Sequence, residues 1–260
     1  MPTLNWRRLV GVPRFALPPG IGGGAAPTPA LERPSGGVDD PHARLRSLPP
    51  EGAQPALGRP GSGLGLHLPR PDIRPGDRWV FVTRTQEEAE RGDAGLVMAN
   101  HVTEIGPNGE LHVEVQRINK ADSPVLKNIY SNQFDLLSRE VVPGEAVQYS
   151  PAFPQFEFPM TVGNTWKEQV TQSQPEWELH AQVGVSVTVE AEETVTVPAG
   201  TFRTLRLQGH YTASQATVMT HYWYAPAAGR SVKGVEDTLA INGTRTRLIY
   251  ELQSLNRLRG

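Results

Sequence analysis

Between Ala181 and Pro226 the apolar side chains fall on every second residue. Val183, Val185, Val187 and Val189 alternate with Gln182, Gly184, Ser186, Thr188 and Glu190, a period of two that gives a pleated ribbon one apolar and one wetter face. A helix would scatter those valines around its circumference. The pattern resumes at Val195 and Val197, and Pro198-Ala199-Gly200 supplies a fixed φ and then a residue free to take positive φ, so the chain is expected to reverse there.

The two following segments can be registered against each other. With Ala213-Ser214-Gln215-Ala216 as the loop, Leu205 faces Tyr224, Leu207 faces Tyr222, Gly209 faces Thr220 and Tyr211 faces Val218. All the apolar partners then share one face, which is how register is specified in a half-buried antiparallel pair. The other face sets Arg206 opposite Trp223, Gln208 opposite His221 and His210 opposite Met219.

The same reading extends over most of the chain. Arg78–Thr85 is rich in aromatic and β-branched residues and reads as a first strand; Gln86–Arg91 is one helical turn. Leu96–Ile105 and Glu110–Ile118 flank Gly106-Pro107-Asn108-Gly109, a hairpin signal that sets Val102 against Val113 and Asn100 against Val115. Val125–Tyr130 and Phe134–Val142 are further strands, and Trp177–Val189 leads into the opening stretch. Residues 143–163 are read as a crossing, because their prolines forbid a central strand while Phe153, Phe156 and Phe158 need shelter at a sheet edge or rim. At the C-terminus Ser231–Ala240 and Arg245–Leu255 flank Asn242-Gly243, read as a two-residue turn, with Leu248, Tyr250 and Leu252 opposed by Val235, Leu239 and Ile241. Asn242-Gly243-Thr244 also fits a glycosylation acceptor, but the structural use of Asn-Gly in a turn explains it.

Roughly a dozen short strands and almost no helix predict an all-β fold: a single large curved antiparallel meander sheet, a half-barrel or open barrel, over residues 72–256. The absence of a fixed-period repeat argues against a propeller or solenoid. Residues 257–260 form a short tail. Residues 1–71 are of another kind. The first 70 residues hold 13 of the 24 prolines and 12 of the 26 glycines, a composition that cannot bury enough apolar surface to offset chain entropy, so the segment is expected to be disordered. Trp6-Arg7-Arg8-Leu9-Val10 has the paired arginines of an export signal, yet Pro13, Arg14, Pro18 and Pro19 interrupt its apolar core, so a solvated tail, or a start codon placed too far upstream, is the preferred reading. Gly61-Ser62-Gly63-Leu64-Gly65 lacks the strand, helix and Lys-Ser/Thr ending of a phosphate loop and reads as linker.

Several functions are disfavoured at this level. Twenty-five basic against 27 acidic residues exert no long-range pull on nucleic acid, and no run approaches the roughly 18 apolar residues of a membrane-spanning helix. The lack of cysteine removes disulfides, thiolate metal sites, a cysteine nucleophile and a lipid-attachment cysteine. No G-x-S-x-G elbow or P-loop is present, and Glu192 and Glu193 are adjacent, so on a strand they point to opposite faces. An enzyme, hydrolytic or metal-dependent, is the remote reading, and no cofactor is called for. Arg206 opposite Trp223 is read as a cation–π surface pair in preference to an anion site. His101, His112 and Glu114, with Thr103, share one face of the first hairpin and have the donor types of a zinc site; a wet sheet face with two solvated histidines is the plain alternative.

Phe158-Pro159-Met160-Thr161-Val162-Gly163-Asn164-Thr165-Trp166, Glu193-Thr194-Val195-Thr196-Val197-Pro198-Ala199-Gly200-Thr201-Phe202, and Trp223-Tyr224-Ala225-Pro226 with Gly229 and Val232-Lys233 resemble the spaced motifs of bacterial cell-envelope β-half-barrel proteins of no assigned role, grouped near the LolA/LolB-type lipoprotein carriers. The resemblance implies fold and, for location, the periplasm or cell envelope, although such families carry an export signal not recognisable here. On this basis two non-enzymatic readings stand. In one, a concave face lined by Leu207, Tyr211, Tyr222 and Tyr224 binds an apolar or lipid-like small molecule. In the other, the sheet is a scaffold whose edge or rim docks an envelope protein partner. A sheet enclosing a void of a few hundred cubic ångströms favours the first; a filled interior favours the second.

Overall fold

In a computed structural model of the chain, residues 67–175 and 179–257 are described. The expectations for the leader up to residue 66, for Trp177 and for the tail beyond Arg257 lie outside them. Twelve antiparallel strands follow in order: β1 (Arg78–Thr85), β2 (Leu96–Ile105), β3 (Leu111–Arg117), β4 (Val125–Tyr130), β5 (Leu136–Val142), β6 (Glu145–Phe153), β7 (Thr165–Gln174), β8 (Leu179–Val197), β9 (Gly200–Ala213), β10 (Ala216–Ala225), β11 (Arg230–Ala240) and β12 (Arg245–Asn256). Each pairs with its sequence neighbours, as the alternation predicts. Where a half-barrel or open barrel was the expectation, β1 also pairs with β12, and the meander closes into a barrel in which neither terminal strand is a free edge.

The single helix, α1 (Gln86–Arg91), follows β1 and is held by a capping box: the Glu88 N–H donates to Thr85 Oγ1 at 3.1 Å and the Thr85 N–H donates to Glu88 Oε2 at 2.8 Å. Gly92, at φ 74°, ends it in the left-handed conformation.

The β9–β10 pair has the expected register throughout. Leu205 pairs with Tyr224, Leu207 with Tyr222, Gly209 with Thr220 and Tyr211 with Val218, and Val183, Val185, Val187 and Val189 all point inward and are buried. The outward partners on β9, Arg206, Gln208, His210 and Thr212, are polar, the reverse of the apolar outer band of a membrane-spanning barrel. The last part of β8 runs past the start of β7 with only β9 beside it. Its turn reaches β12, where the Ala199 N–H donates to the Leu252 carbonyl at 3.0 Å.

Three departures from the expected pattern have physical causes. At the β11–β12 turn the Ala240 N–H donates to Thr244 O at 2.9 Å, so the loop is three residues, Ile241–Gly243, with Gly243 at φ 82°, and not the two-residue turn expected. The register therefore slips by one: Tyr250 faces Gly234 and Leu248 faces Glu236, while Val235 pairs with Ile249 and Leu239 with Arg245. A one-residue slip reverses every side chain, and Leu239 and Ile241 are accordingly 44% and 75% exposed. At β2–β3 the pairs Val102–Val113 and Asn100–Val115 hold, but a bulge at Thr103 shifts His112 opposite Glu104. Third, the crossing 143–163 contains β6, a strand between β5 and β7 despite Pro151. The proline is accommodated where ladders lapse: pairing to β7 stops at Ser150–Thr171, and pairing to β5 jumps from Gln148–Ser138 to Phe153–Leu136.

The segment ahead of β1 packs on the core. Leu68 forms an antiparallel bridge with Met160 (Leu68 N–H to Met160 O 2.8 Å, Met160 N–H to Leu68 O 2.9 Å), and Leu68, Ile73, Phe156 and Met160 join the core cluster. Trp79 Nε1 donates to Ala228 O at 2.8 Å. Five residues of the expected leader, His67–Pro71, are thus among the described chain, and the rim shelter expected for the phenylalanines is observed, with Phe153 and Phe156 buried.

Candidate functional site

The four residues expected to line a concave face do lie on the inner wall. Leu207, Tyr211, Tyr222 and Tyr224 are 1%, 1%, 4% and 1% exposed, and other rings occupy the space around the tyrosines. The Tyr211 ring centroid is 5.5 Å from that of Phe153, Tyr222 is 5.8 Å from Tyr250, and Tyr224 is 5.0 and 5.8 Å from Phe156 and Phe158. Two inward glycines make room for these rings. A Cβ at Gly234 would sit 2.1 Å from Tyr250 Cε1, and one at Gly209 2.4 Å from Thr220 Oγ1 and 2.6 Å from the Tyr211 hydroxyl. The gap bordered by Phe81, Gln155, Phe156, Arg230, Ser231 and Tyr250 measures about 10 Å³, room for no more than one water.

A polar group is buried among these rings. Glu236 is 3% exposed, and the Tyr222 hydroxyl donates to its Oε1 at 2.7 Å. Desolvation first, then the nearby Glu236 carboxylate, hold the Tyr222 and Tyr250 hydroxyls well above the ordinary tyrosine range; burial does the same for Tyr211 and Tyr224. Arg230, also buried, lies over the Trp79 and Phe81 rings at 5.3 and 5.7 Å. This cluster ties β10, β11 and β12 together from inside.

A cleft lies at the seam between β6 and β7. Because β6 pairs with β7 only from Gln148 to Ser150, the Thr165–Val170 stretch of β7 has β8 on one side and no β6 partner on the other. The segment after β6 fills part of this gap and leaves a cleft of about 310 Å³ lined by Gln133, Asp135, Pro154, Phe156, Glu157, Phe158, Trp166, Lys167 and Glu168. Its floor is aromatic and continuous with the core, since Phe156 stacks on Phe134 at 5.9 Å, on Phe158 at 5.9 Å and on Tyr224 at 5.0 Å. Phe134 takes φ 76°, a left-handed conformation unusual for a bulky residue. That turn sends its ring into the core and leaves Asp135 at the cleft, where Ser131 Oγ donates to Asp135 Oδ2 at 3.3 Å. Burial, opposed by the Ser131 and Gln155 hydrogen bonds and reinforced by Glu157, pushes the Asp135 carboxyl up to about 6. Trp166, 8% exposed, has a buried Nε1–H without an acceptor.

The other candidates of the sequence are placed as follows. His101 pairs with Glu114 and His112 with Glu104, and among the described residues no group of three or more His, Cys, Asp or Glu is placed to hold a metal ion. Arg206 lies opposite Trp223 but is held by Glu190 at 2.9 Å and Glu193 at 2.6 Å; the cation over Trp223 is Lys233, at 5.8 Å, and Trp223 Nε1 donates to Glu193 Oε2 at 2.8 Å. The seam residues Asp135, Trp166 and Glu168 were not singled out as a site from the sequence. The signal for them was the Phe-rich, Pro-rich crossing itself.

No protein-family model matches this chain, and no curated protein sequence does. Solved structures do resemble it. A Bacteroides fragilis protein with a YmcC-like fold superposes with a TM-score of 0.46 at 15% identity, covering 74% of this chain and 100% of its own. The hypothetical lipoprotein YmcC from Escherichia coli gives 0.42 at 11% identity over 71% and 87%, and a candidate lipoprotein from Parabacteroides distasonis gives 0.42 at 15% over 75% and 100%. The likeness is one of fold. Among the described residues no helix is long and apolar enough to cross a membrane.

Proposed function

We propose that this protein is a non-enzymatic binding protein of the cell-envelope type, in which a closed barrel acts as a rigid scaffold and an apolar or lipid-like ligand sits in the seam cleft between β6 and β7. The observation that carries the reading is a contrast of volumes. About 10 Å³ is open beside Tyr250 inside the barrel, and a wider gap of about 600 Å³ on the outer face of β7–β9 is lined by no Phe, Tyr or Trp, whereas the seam offers about 310 Å³ over an aromatic floor, at the lower end of the range small-molecule sites occupy. The envelope setting follows from the motif resemblance and is checked by fractionating cells that express the full gene.

A protein strand added along the free edge of β7 is the competing reading, and the same gap in the ladder favours it. Exposed Lys167 and Glu168 blunt that edge, and Glu168 Oε1 takes the Gln169 backbone N–H at 3.0 Å, one donor fewer for an incoming strand. The test is calorimetric titration of the delipidated full chain with decyl-chain probes. One-site binding that is lost in Phe158→Asp supports the seam; absence of binding, or binding undiminished in the variant, overturns it.

A further inference from the structure

The charges around the cleft narrow the class of ligand. Asp135, Glu157 and Glu168 stand about the aromatic floor against one cation, Lys167. None of the four has an ion-pair partner among the described residues: Asp135 accepts from Ser131 Oγ, and Glu168 from the Gln169 N–H. Elsewhere on the barrel, several carboxylates that are half-buried, as Asp135 is, have a cation beside them: Glu190 and Glu193 have Arg206 and Glu251 has Lys233. An anionic ligand would meet repulsion from three sides here. A neutral hydrocarbon would leave the half-buried Asp135 carboxylate facing apolar matter, which is unfavourable. A cation over aromatic faces satisfies both groups of side chains at once.

A second, independent observation concerns Trp166. Its indole N–H is closed to water and lacks an acceptor, although nearly all buried donors in proteins have one. Trp166 lines the cleft, and a ligand that turns its ring on entry would bring an oxygen to this N–H.

Resting on the seam-binding reading above, we infer that the cleft takes a cationic amphiphile: an ammonium-type head set among Asp135, Glu157 and Glu168 over the Phe156, Phe158 and Trp166 rings, with an ester or carbonyl oxygen beside it for Trp166 Nε1. The experiment compares decyltrimethylammonium, decyl glucoside and decyl sulfate, each below its micelle concentration, on the full chain by calorimetry. The ammonium probe binds roughly tenfold tighter than the glucoside, and the sulfate binds weakest. Asp135→Asn and, separately, Glu168→Gln each reduce the ammonium preference several-fold and leave the glucoside affinity unchanged. Decanoylcholine, which adds an ester beside the same cation, gains affinity over decyltrimethylammonium in the native chain and loses that gain in Trp166→Phe. Equal affinity for the three head groups, or tightest binding of the sulfate, overturns the cationic assignment while the seam site stands. Failure of every probe to bind overturns the seam site as well.

Discussion

Two stretches of one sheet, β8–β10 and β5–β7, are built on opposite principles. In β8–β10 the side chains alternate without a break from Val183 to Val189, and the β9–β10 ladder runs unshifted from Ala216–Ala213 to Tyr224–Leu205. In β5–β7 the register jumps twice within β5–β6, Pro151 interrupts β6, and only three β6–β7 pairs form. The regular wall puts its apolar area into core packing, and the gap beside Tyr250 measures about 10 Å³. The irregular stretch gives up ladder hydrogen bonds and gains a cleft. Regularity and openness are alternatives here, and the division of labour predicts where substitutions act on folding and where on binding.

The largest effect is expected in the core beside the wall, at Gly234 of neighbouring β11. A side chain at Gly234 has its Cβ 2.1 Å from Tyr250 Cε1 and 2.7 Å from Tyr222 Cδ1, so Gly234→Val must displace two stacked rings in a filled interior. A loss of roughly 3 kcal/mol is expected from such overpacking, read as a lower urea midpoint. Phe158→Asp, at the seam, should cost far less stability while removing ligand binding. If the two variants unfold at the same urea concentration, the contrast between wall and seam is broken.

Next in size is the hydrogen bond inside the wall. Tyr222→Phe removes the donor at 2.7 Å from buried Glu236 and is expected to cost about 1–3 kcal/mol. The wall tyrosines also give a pH signature. Their hydroxyls are raised in the fold, so the fold favours the protonated form; this contribution is present below the unfolded tyrosine value of 10.0 and is lost as pH rises above it. Tyrosinate absorbance should therefore appear together with loss of the far-ultraviolet strand signal, as one transition. Ionisation of these tyrosines in a still-folded chain would contradict their burial.

Smaller again is the seam carboxylate. Asp135 is raised from 3.8 to about 6, so its protonated form is favoured by the fold. Its contribution is full below the unfolded value and lost as pH rises through about 6. The native chain should gain stability as pH falls from 7 to 5. Asp135→Asn should be more stable than the native chain at pH 7 and lack that slope. Because the group is partly open to solvent, the gain is expected to be on the order of 1 kcal/mol. A decrease in thermal midpoint on substitution at pH 7 would mean that the carboxylate is already compensated.

How much of this was legible in the sequence follows from the same division. Where one face is uniformly apolar, register is over-determined, and Leu207–Tyr222 and Val102–Val113 were readable from alternation alone. Closure was not readable, because the β1–β12 pairing is the most distant in sequence and no local signal marks it. The β11–β12 register was misread because the barrel interior there is polar. Gly234, Glu236 and Thr238 point inward, so hydrophobicity favours the wrong face, and only the three-residue loop decides it. The seam was half visible: the phenylalanines near Pro154 signalled a need for shelter. Asp135 and Trp166 carry no mark until the fold brings them within one cleft.

The smallest effect tests the wall from outside. Gly184 is central in β8, between inward Val183 and Val185, and its missing side chain points outward beside Gln169 and Thr212. A Cβ there meets Gln169 Oε1 at 3.6 Å and Thr212 O at 3.8 Å, ordinary contacts, unlike the collision at Gly234. Glycine in a strand interior loses more chain entropy on folding than alanine, so Gly184→Ala should stabilise by about 0.5 kcal/mol. The opposite signs at Gly184 and Gly234 would then come from residues of one type in strands of one barrel, set by which face they occupy. A destabilising Gly184→Ala would show that the outer face is also sterically constrained, and that the wall is not simply packed on the inside and free on the outside.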